Sequence, residues 1–131
     1  MDRSLEMQKA LNLRLTTDAP LMAIITGVYD AVPQKTTFPY VVIGETIADE
    51  DGTQTYNGMD GTLTIHSWSE YSGRFEIKEI QRAVYNALHR KPLALDAGTN
   101  WELIFDTEDS FLDNDGETRH GIQQFKYFTV R

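Results

Sequence analysis

The sequence predicts an α+β domain. It has a mixed, mainly antiparallel sheet of four or five strands, with an N-terminal helix and one long amphipathic helix packed on one face. Runs of β-branched and aromatic residues recur along the chain, residues 74–90 repeat apolar side chains at helical spacing, and residues 101–131 have the pattern of a long β-hairpin. The whole chain, residues 1–131, has the size of a single domain with one core.

The N-terminal part predicts two helices and a short strand. Residues 4–15 place apolar side chains three and four positions apart, as one face of a helix requires. Asp18 offers an N-cap oxygen for a short second helix, expected over residues 20–26, with a proline in its first turn. Residues 28–32 favour a strand, and Pro33 restricts this strand to the sheet edge because proline cannot donate a ladder hydrogen bond.

Two stronger strands follow, joined by a polar connection. Residues 38–47 have the clearest strand pattern in the chain, and residues 62–68 have a second one. The connection over residues 49–60 contains two turn dipeptides with glycine and is expected to stand clear of an antiparallel pair. Residues 74–90 then predict the long helix, which ends before Pro92 because the residue preceding a proline disfavours helical geometry.

The chain closes with the hairpin. A brief strand or connector at residues 93–95 leads into two strand-like runs, residues 101–105 and residues 122–130. Between them lies Asp115-Gly116, a dipeptide that tolerates the positive φ angles of a tight turn. The many acids between the two runs, and those near the earlier connection, are expected to lie in solvated loops and turn tips.

Both faces of the predicted sheet are apolar. Large apolar side chains alternate onto both faces of residues 38–47 and of residues 122–130. Two helices cover about one face of a sheet of this size. We therefore expect a neighbouring subunit to bury part of the second face. Exposed aromatic residues on a monomer are the alternative, since much folded surface is apolar.

Composition limits the functions open to the chain. A formal charge of −8, from 12 basic and 20 acidic residues, repels phosphate backbones, so specific nucleic-acid binding is not expected. There is no cysteine, and hence no disulfide and no thiolate metal site. The sequence has neither a signal-peptide pattern nor an apolar run long enough to span a membrane. We expect a soluble protein with no membrane partner.

The histidines and serines form no recognised catalytic pattern. His66, His89 and His120 lack the short spacings at which metal ligands converge, and the serines lack the sequence context of a nucleophile. His66 is expected on a strand face. His89 and Arg90 are expected to complement the dipole at the C-terminus of the long helix.

One enzymatic alternative remains at this point. A small hydrolase could use His120 together with Asp113 or Asp115, which lie close to it in sequence. No phosphate-binding glycine motif occurs, and no cofactor or metal is predicted.

Seven landmarks follow one another in a familiar order and spacing. They are a leading helix, residues 28–34 (VYDAVPQ), residues 38–44 (FPYVVIG), residues 63–69 (LTIHSWS), a second helix, residues 92–95 (PLAL) and residues 113–121 (DNDGETRHG). In this arrangement the chain resembles, over nearly its whole length, the tail completion (tail terminator-like) proteins of long-tailed bacteriophages and prophages.

The resemblance implies a structural virion protein without enzymatic activity, assembled in the host cytoplasm and located at the head-tail junction. Copies of the chain would form a ring, commonly hexameric, at the head-proximal end of the tail, ending tail-tube polymerisation and joining tail to head. The partners would be other copies, the tail-tube protein and the head-tail connector protein, with DNA passing through the lumen without specific binding. A connector or monomeric adaptor role is the alternative.

Candidate positions follow from the resemblance and from the exposed connection. The candidate interface residues are Asp49, Glu50, Asp51, Tyr56, Arg119, His120, Phe125 and Tyr127. Arg119 and His120 follow the hairpin turn, where they are placed to reach Asp113 or a neighbouring subunit. The residues assigned to turns or architecture are Tyr29, Pro33, Pro39, Asp115 and Gly116.

Overall fold

The computed structural model describes residues 4–49, 60–94 and 100–130. The helices and strands, in chain order, are α1 (Ser4–Thr16), α2 (Ala19–Met22), β1 (Val28–Tyr29), β2 (Tyr40–Asp49), β3 (Asp60–Ser69), α3 (Phe75–Leu88), β4 (Leu93–Ala94), β5 (Asn100–Leu112) and β6 (Arg119–Val130). None of the described helices has the length and apolarity needed to cross a membrane. The predicted α+β class is confirmed.

All the described strands form one sheet in the order β1-β2-β3-β6-β5-β4. Only β1 pairs in parallel, with Val28 opposite Val41, and the other neighbours are antiparallel. The described sheet thus has six strands, against the four or five predicted, because a two-residue strand extends it at each edge. The four long strands in the middle carry most of the pairing.

Helix α1 follows the predicted pattern closely. Met7, Leu11 and Leu15 are completely buried on its inner face. Asp18 caps α2 as expected, because its Oδ2 accepts the N–H of Leu21 at 3.1 Å.

Helix α2 is shorter than predicted. The N–H of Thr26 donates to the carbonyl of Pro39 at 2.8 Å, and its hydroxyl donates to the carbonyl of Thr37 at 2.6 Å. These bonds draw the residues after Met22 toward β2 and out of helical geometry.

Helix α3 buries its apolar stripe against the sheet, with Ile77, Ile80, Val84 and Leu88 completely inaccessible to solvent. Its end corrects one expectation. The Nδ1 of His89 accepts the N–H of Phe105 at 3.0 Å, so while this bond holds, that nitrogen carries no proton and the ring carries no positive charge. His89 therefore joins the helix end to β5 and does not act as a cation at the helix dipole.

The closing hairpin is longer than predicted. Asp106, Glu108 and Asp109 lie within β5 and not in a loop, although they are exposed as expected. A register shift between Phe105 and Thr107 marks a bulge in this strand. Pairing with β6 supplies ladder hydrogen bonds that outweigh the weak strand propensity of the acids.

The hairpin turn has the predicted chemistry. Gly116 has φ +74°, a conformation that favours glycine. The Oδ1 of Asp115 accepts the N–H groups of Glu117 and Thr118 at 2.9 and 2.8 Å, and its Oδ2 accepts the hydroxyl of Thr118 at 2.6 Å. These bonds hold the pKa of Asp115 below its usual value, the Thr118 hydroxyl being the main cause.

Candidate functional site

The two faces of the sheet have different surroundings. We call the side on which α1 and α3 pack the covered face, and its core includes Leu63, Leu103 and Phe125. On the opposite side, the bare face, no described helix packs. The alternating positions of the strands place on it Tyr40, Val42, Thr64, His66, Trp68, Phe111, His120, Ile122 and Phe128. The prediction that both helices pack on one face is confirmed.

A stack of rings lies at the end of the bare face nearest the hairpin turn. Trp68 of β3 lies directly opposite His120 of β6, with ring centroids 3.8 Å apart and planes inclined by 10°. Two further rings contact His120. Phe111 of β5 approaches it edge-on, with ring centroids 5.1 Å apart, and His66 stacks on the same His120 ring at a centroid distance of 5.0 Å. Such contacts between aromatic rings hold side chains in place beyond the effect of burial alone.

A chain of hydrogen bonds leads from this stack to the edge of β2. The Nε2 of His66 lies 3.1 Å from Oε1 of Glu45, and its Nδ1 lies 2.8 Å from Nε2 of His120. A carboxylate only accepts, so Nε2 of His66 carries a proton. The bond between Nδ1 of His66 and Nε2 of His120 holds one proton, which either ring can carry.

These contacts set the charge of the bare face at neutral pH. Burial lowers the pKa of His120, the nearby His66 lowers it further, and the charge of Asp113 opposes both effects in part. The pKa of Glu45 is lowered mainly by a backbone hydrogen bond and then by the bond from His66. At neutral pH His120 is therefore uncharged, whereas Glu45 carries a full negative charge.

Beside the stack lies an open groove of about 510 Å³, which extends to the β1 side of the bare face. Its lining includes Tyr40, Trp68 and Glu45, with Asp30 and Val32 at the β1 side. Gly44 leaves room for the ring of His66, since a Cβ there would lie 2.6 Å from Cδ2 of His66. The groove is thus shaped by the same residues that form the hydrogen-bond chain.

The structure separates the predicted interface residues into three groups. Phe125 and Tyr127 are wrong as interface residues, because they are buried on the covered face beneath the helices. Asp49 ends β2, while Glu50, Asp51 and Tyr56 lie outside the described residues. Only Arg119 and His120 remain to be placed.

His120 is on the bare face and is half-buried, as described above. The guanidinium of Arg119 donates to the carbonyl of Ser72, with its Nη2 at 2.9 Å and its Nε at 3.3 Å. This side chain therefore ties the start of β6 to the loop before α3.

The hydrolase alternative finds no support in this geometry. The carboxylate of Asp115 is engaged in the turn by three hydrogen bonds, and His120 faces His66. Asp113 lies close enough to raise the pKa of His120, but its Oδ1 accepts the N–H of Asn114 at 2.9 Å. Within residues 4–49, 60–94 and 100–130, no group of three potential ligands is arranged to hold a metal ion.

Three of the residues assigned to turns or architecture, Tyr29, Pro33 and Pro39, lie around the β1 edge. Tyr29 meets the ring of Tyr40 edge-on, with centroids 5.8 Å apart. The carbonyl of Pro39 accepts from Thr26, and the carbonyl of Pro33 accepts from the hydroxyl of Thr36. These contacts bring the loop before β2 against Tyr40.

Sequence reasoning missed the set Glu45, His66 and His120. The alternation of His66 with Trp68 indicated a strand face, but the contact with His120 depends on the register between β3 and β6. The contact with Glu45 depends on a bulge in β2 between Ile43 and Thr46. A strand pattern alone predicts neither the register between β3 and β6 nor the bulge in β2.

Comparison with known proteins gives a consistent result. The family model described as "Tail completion protein gp17" matches residues 9–129. The tail completion protein gp17 of Bacillus phage SPP1 is 30% identical over 121 residues, which covers 92% of this chain and 90% of that protein. These matches extend over nearly the whole domain.

Two solved structures share the fold. A chain in the virion of a native gene transfer agent particle superposes with a TM-score of 0.85 at 25% identity, covering 96% of both chains. The structure of the bacteriophage SPP1 gp17 protein superposes with a TM-score of 0.64 at 29% identity, covering 98% of this chain and 91% of that one. The chain therefore belongs to the tail completion protein gp17 family and is a virion structural protein of the bacteriophage type.

Proposed function

We propose that copies of this chain form a closed ring, homohexameric by the resemblance described above, at the head-proximal end of a phage tail. There the ring ends polymerisation of the tail tube and offers a docking surface to the head-tail connector protein. The name of the family supports a role in tail completion, and the likeness to a chain of a whole virion supports a place in the assembled particle.

The bare face of the sheet carries this proposal. Trp68, His120 and Phe128 are only half-buried in the single subunit, and Phe111 is 40% exposed. A cluster of partly exposed rings, such as Trp68, Phe111 and His120, marks an interaction site on a small domain. A ring buries such a surface through contacts between two different regions of neighbouring subunits, and these contacts close by rotation.

The charge of the chain suits a ring through which DNA passes. With a formal charge of −8, the subunit repels a phosphate backbone, so DNA moves through the lumen without specific binding. The function is assembly, and no chemical step is assigned to any residue.

The test is to remove the gene from the phage that encodes this chain and to image the tails by negative stain. Overlong tails, or tails without heads, are expected when the ring is missing. Tails of normal length joined to heads in the absence of the chain would overturn the proposal.

Complementation with variants then tests the surface. Trp68→Lys places a charge on the bare face and is expected to fail to restore normal tails, although the variant folds. The matched control is Asn12→Lys, which adds the same charge at an exposed position of α1. This control is expected to restore tails as the unaltered chain does. Circular dichroism of both purified variants checks that the fold is kept.

A further inference from the structure

The groove on the bare face has the chemistry of a site for a cationic side chain. The rings of Tyr40 and Trp68 contribute to its lining, together with the carboxylates of Asp30 and Glu45, and its described lining contains no lysine or arginine. A guanidinium or ammonium group gains from an aromatic face and from a carboxylate at the same time. We call this feature the acidic groove.

Glu45 is available to such a group. Its contact with His66 uses Oε1, and the side chain is 69% exposed. Burial lowers the pKa of His120, so this ring adds no positive charge to the groove at neutral pH. The acidic groove thus presents a fixed carboxylate beside a fixed aromatic stack.

The cations that match it lie at the other edge of the same sheet. Arg90 and Lys91 are exposed at the end of α3, and the N–H of Arg90 donates to the carbonyl of Leu103 on β5 at 2.8 Å. Arg14 of α1 joins them, since its guanidinium donates to the carbonyl of Pro92 at 2.7 Å. We call Arg90 and Lys91, with Arg14 beside them, the basic corner. Glu102 lies on the adjacent stretch of β5, and the net charge of the corner stays positive.

The strand order separates the two features. The acidic groove lies over β1, β2 and β3, and the basic corner lies beside β4 and β5, at the opposite end of the order β1-β2-β3-β6-β5-β4. Two complementary surfaces on opposite edges of one subunit cannot satisfy each other within that subunit. They can join copies head to tail, which is the arrangement that closes into a ring.

We infer that the acidic groove of one subunit receives the basic corner, Arg90 and Lys91, of the next copy of this chain. The groove is then the specific part of the contact, because a guanidinium can lie on Trp68 while it pairs with the carboxylate of Glu45. This inference rests on the proposed ring and names the residues that join its subunits.

Charge reversal in both partners tests the inference in particles. One variant carries Asp30→Lys and Glu45→Lys, a second carries Arg90→Glu and Lys91→Glu, and a third carries all four changes. Each is supplied to the phage that lacks its own copy, and the copies retained per tail are counted by quantitative mass spectrometry. Lys9→Glu, at an exposed position of α1, is the control for a charge change elsewhere.

Each two-residue reversal is expected to lower the retained copies by roughly tenfold or more, because it places like charges opposite each other. The four-residue variant is expected to recover much of the loss, and the control to load normally. The inference is overturned if either two-residue variant loads like the unaltered chain, or if both fail and the four-residue variant does not recover. The proposed function fails separately, if tails are normal without any copy of the chain.

Discussion

The covered face and the bare face are made from alternate residues of the same strands, yet they differ in almost every physical property. Phe125 on the covered face has no exposed surface and meets the ring of Phe105 edge-on, with centroids 5.8 Å apart. Phe128, three positions later, faces the other way and is half-buried. The covered face uses its apolar surface to fold the subunit, whereas the bare face leaves aromatic and titratable side chains partly exposed. Under the proposed function, alternation along a strand divides one sequence between folding and assembly.

The largest expected difference comes from removing the same side chain on each face. Phe125→Ala leaves a cavity under the helices and is expected to lower the free energy of unfolding by about 3–5 kcal/mol. Phe128→Ala leaves no enclosed cavity in the free subunit and is expected to cost about 1 kcal/mol. Urea denaturation of both variants measures the two values. Equal losses would mean that the faces do not differ in the way described.

Two glycines, one on each face, allow a second comparison, with smaller expected changes in the free energy of unfolding. A Cβ at Gly121 would lie 2.6 Å from Nε2 of Gln81 on the covered face, and a Cβ at Gly44 would lie 2.6 Å from Cδ2 of His66 on the bare face. Gln81 is a buried residue of α3 whose Nε2 donates to the carbonyl of Asp109, so it cannot easily move aside, and Gly121→Ala is expected to destabilise by about 1–3 kcal/mol. Gly44→Ala is expected to cost less, because its closest contacts are to the partly exposed ring of His66, and the carbonyl of Thr64 at 3.1 Å needs to give way only slightly.

Histidine NMR spectra of the Gly44→Ala variant report whether the ring of His66 is displaced. The ring signals of both His66 and His120 are expected to shift, since displacement of one ring breaks the bond between them. Unchanged histidine signals in Gly44→Ala would contradict the described packing of His66 against β2.

The smallest expected effect concerns pH. The pKa of His120 is lowered in the folded subunit, so below about pH 6.5 the unfolded chain binds a proton more readily than the folded one. Stability is therefore fully present above that pH and falls as the pH drops toward the folded pKa. His120→Phe keeps a ring against Trp68 but cannot titrate there.

Thermal unfolding of the free subunit between pH 7.5 and pH 5.5 measures this effect. The variant is expected to lose less stability on acidification than the unaltered chain. An identical slope in both proteins would show that His120 has no lowered pKa.

Local signals in the sequence predicted the elements well. The apolar spacing in α1 and α3, the cap at Asp18 and the turn at Gly116 are each set by neighbouring residues, and each is found in the structure. The acids of β5 misled the interpretation, because pairing with β6 supports a strand where composition suggested a loop. In that case tertiary pairing outweighed local propensity.

The candidate site was harder to predict for a related reason. Both faces of β6 are apolar in sequence, so the pattern could not tell that Phe125 and Tyr127 face the helices while His120 faces away. The contacts among Glu45, His66 and His120 also need the register of three strands and a bulge in β2. A one-residue change in register would place every side chain on the other face.

The most direct test of the account uses the two tryptophans of the chain, one on each face. Trp101 is 1% exposed on the covered face, and Trp68 is half-buried on the bare face. Hydroxyl-radical footprinting with peptide mass spectrometry reads both residues in the same sample, first in the free subunit and then in assembled particles. The account predicts that oxidation of Trp68 falls on assembly to near the low level of Trp101, which stays unchanged. Equal oxidation of Trp68 in the free and assembled states would contradict it.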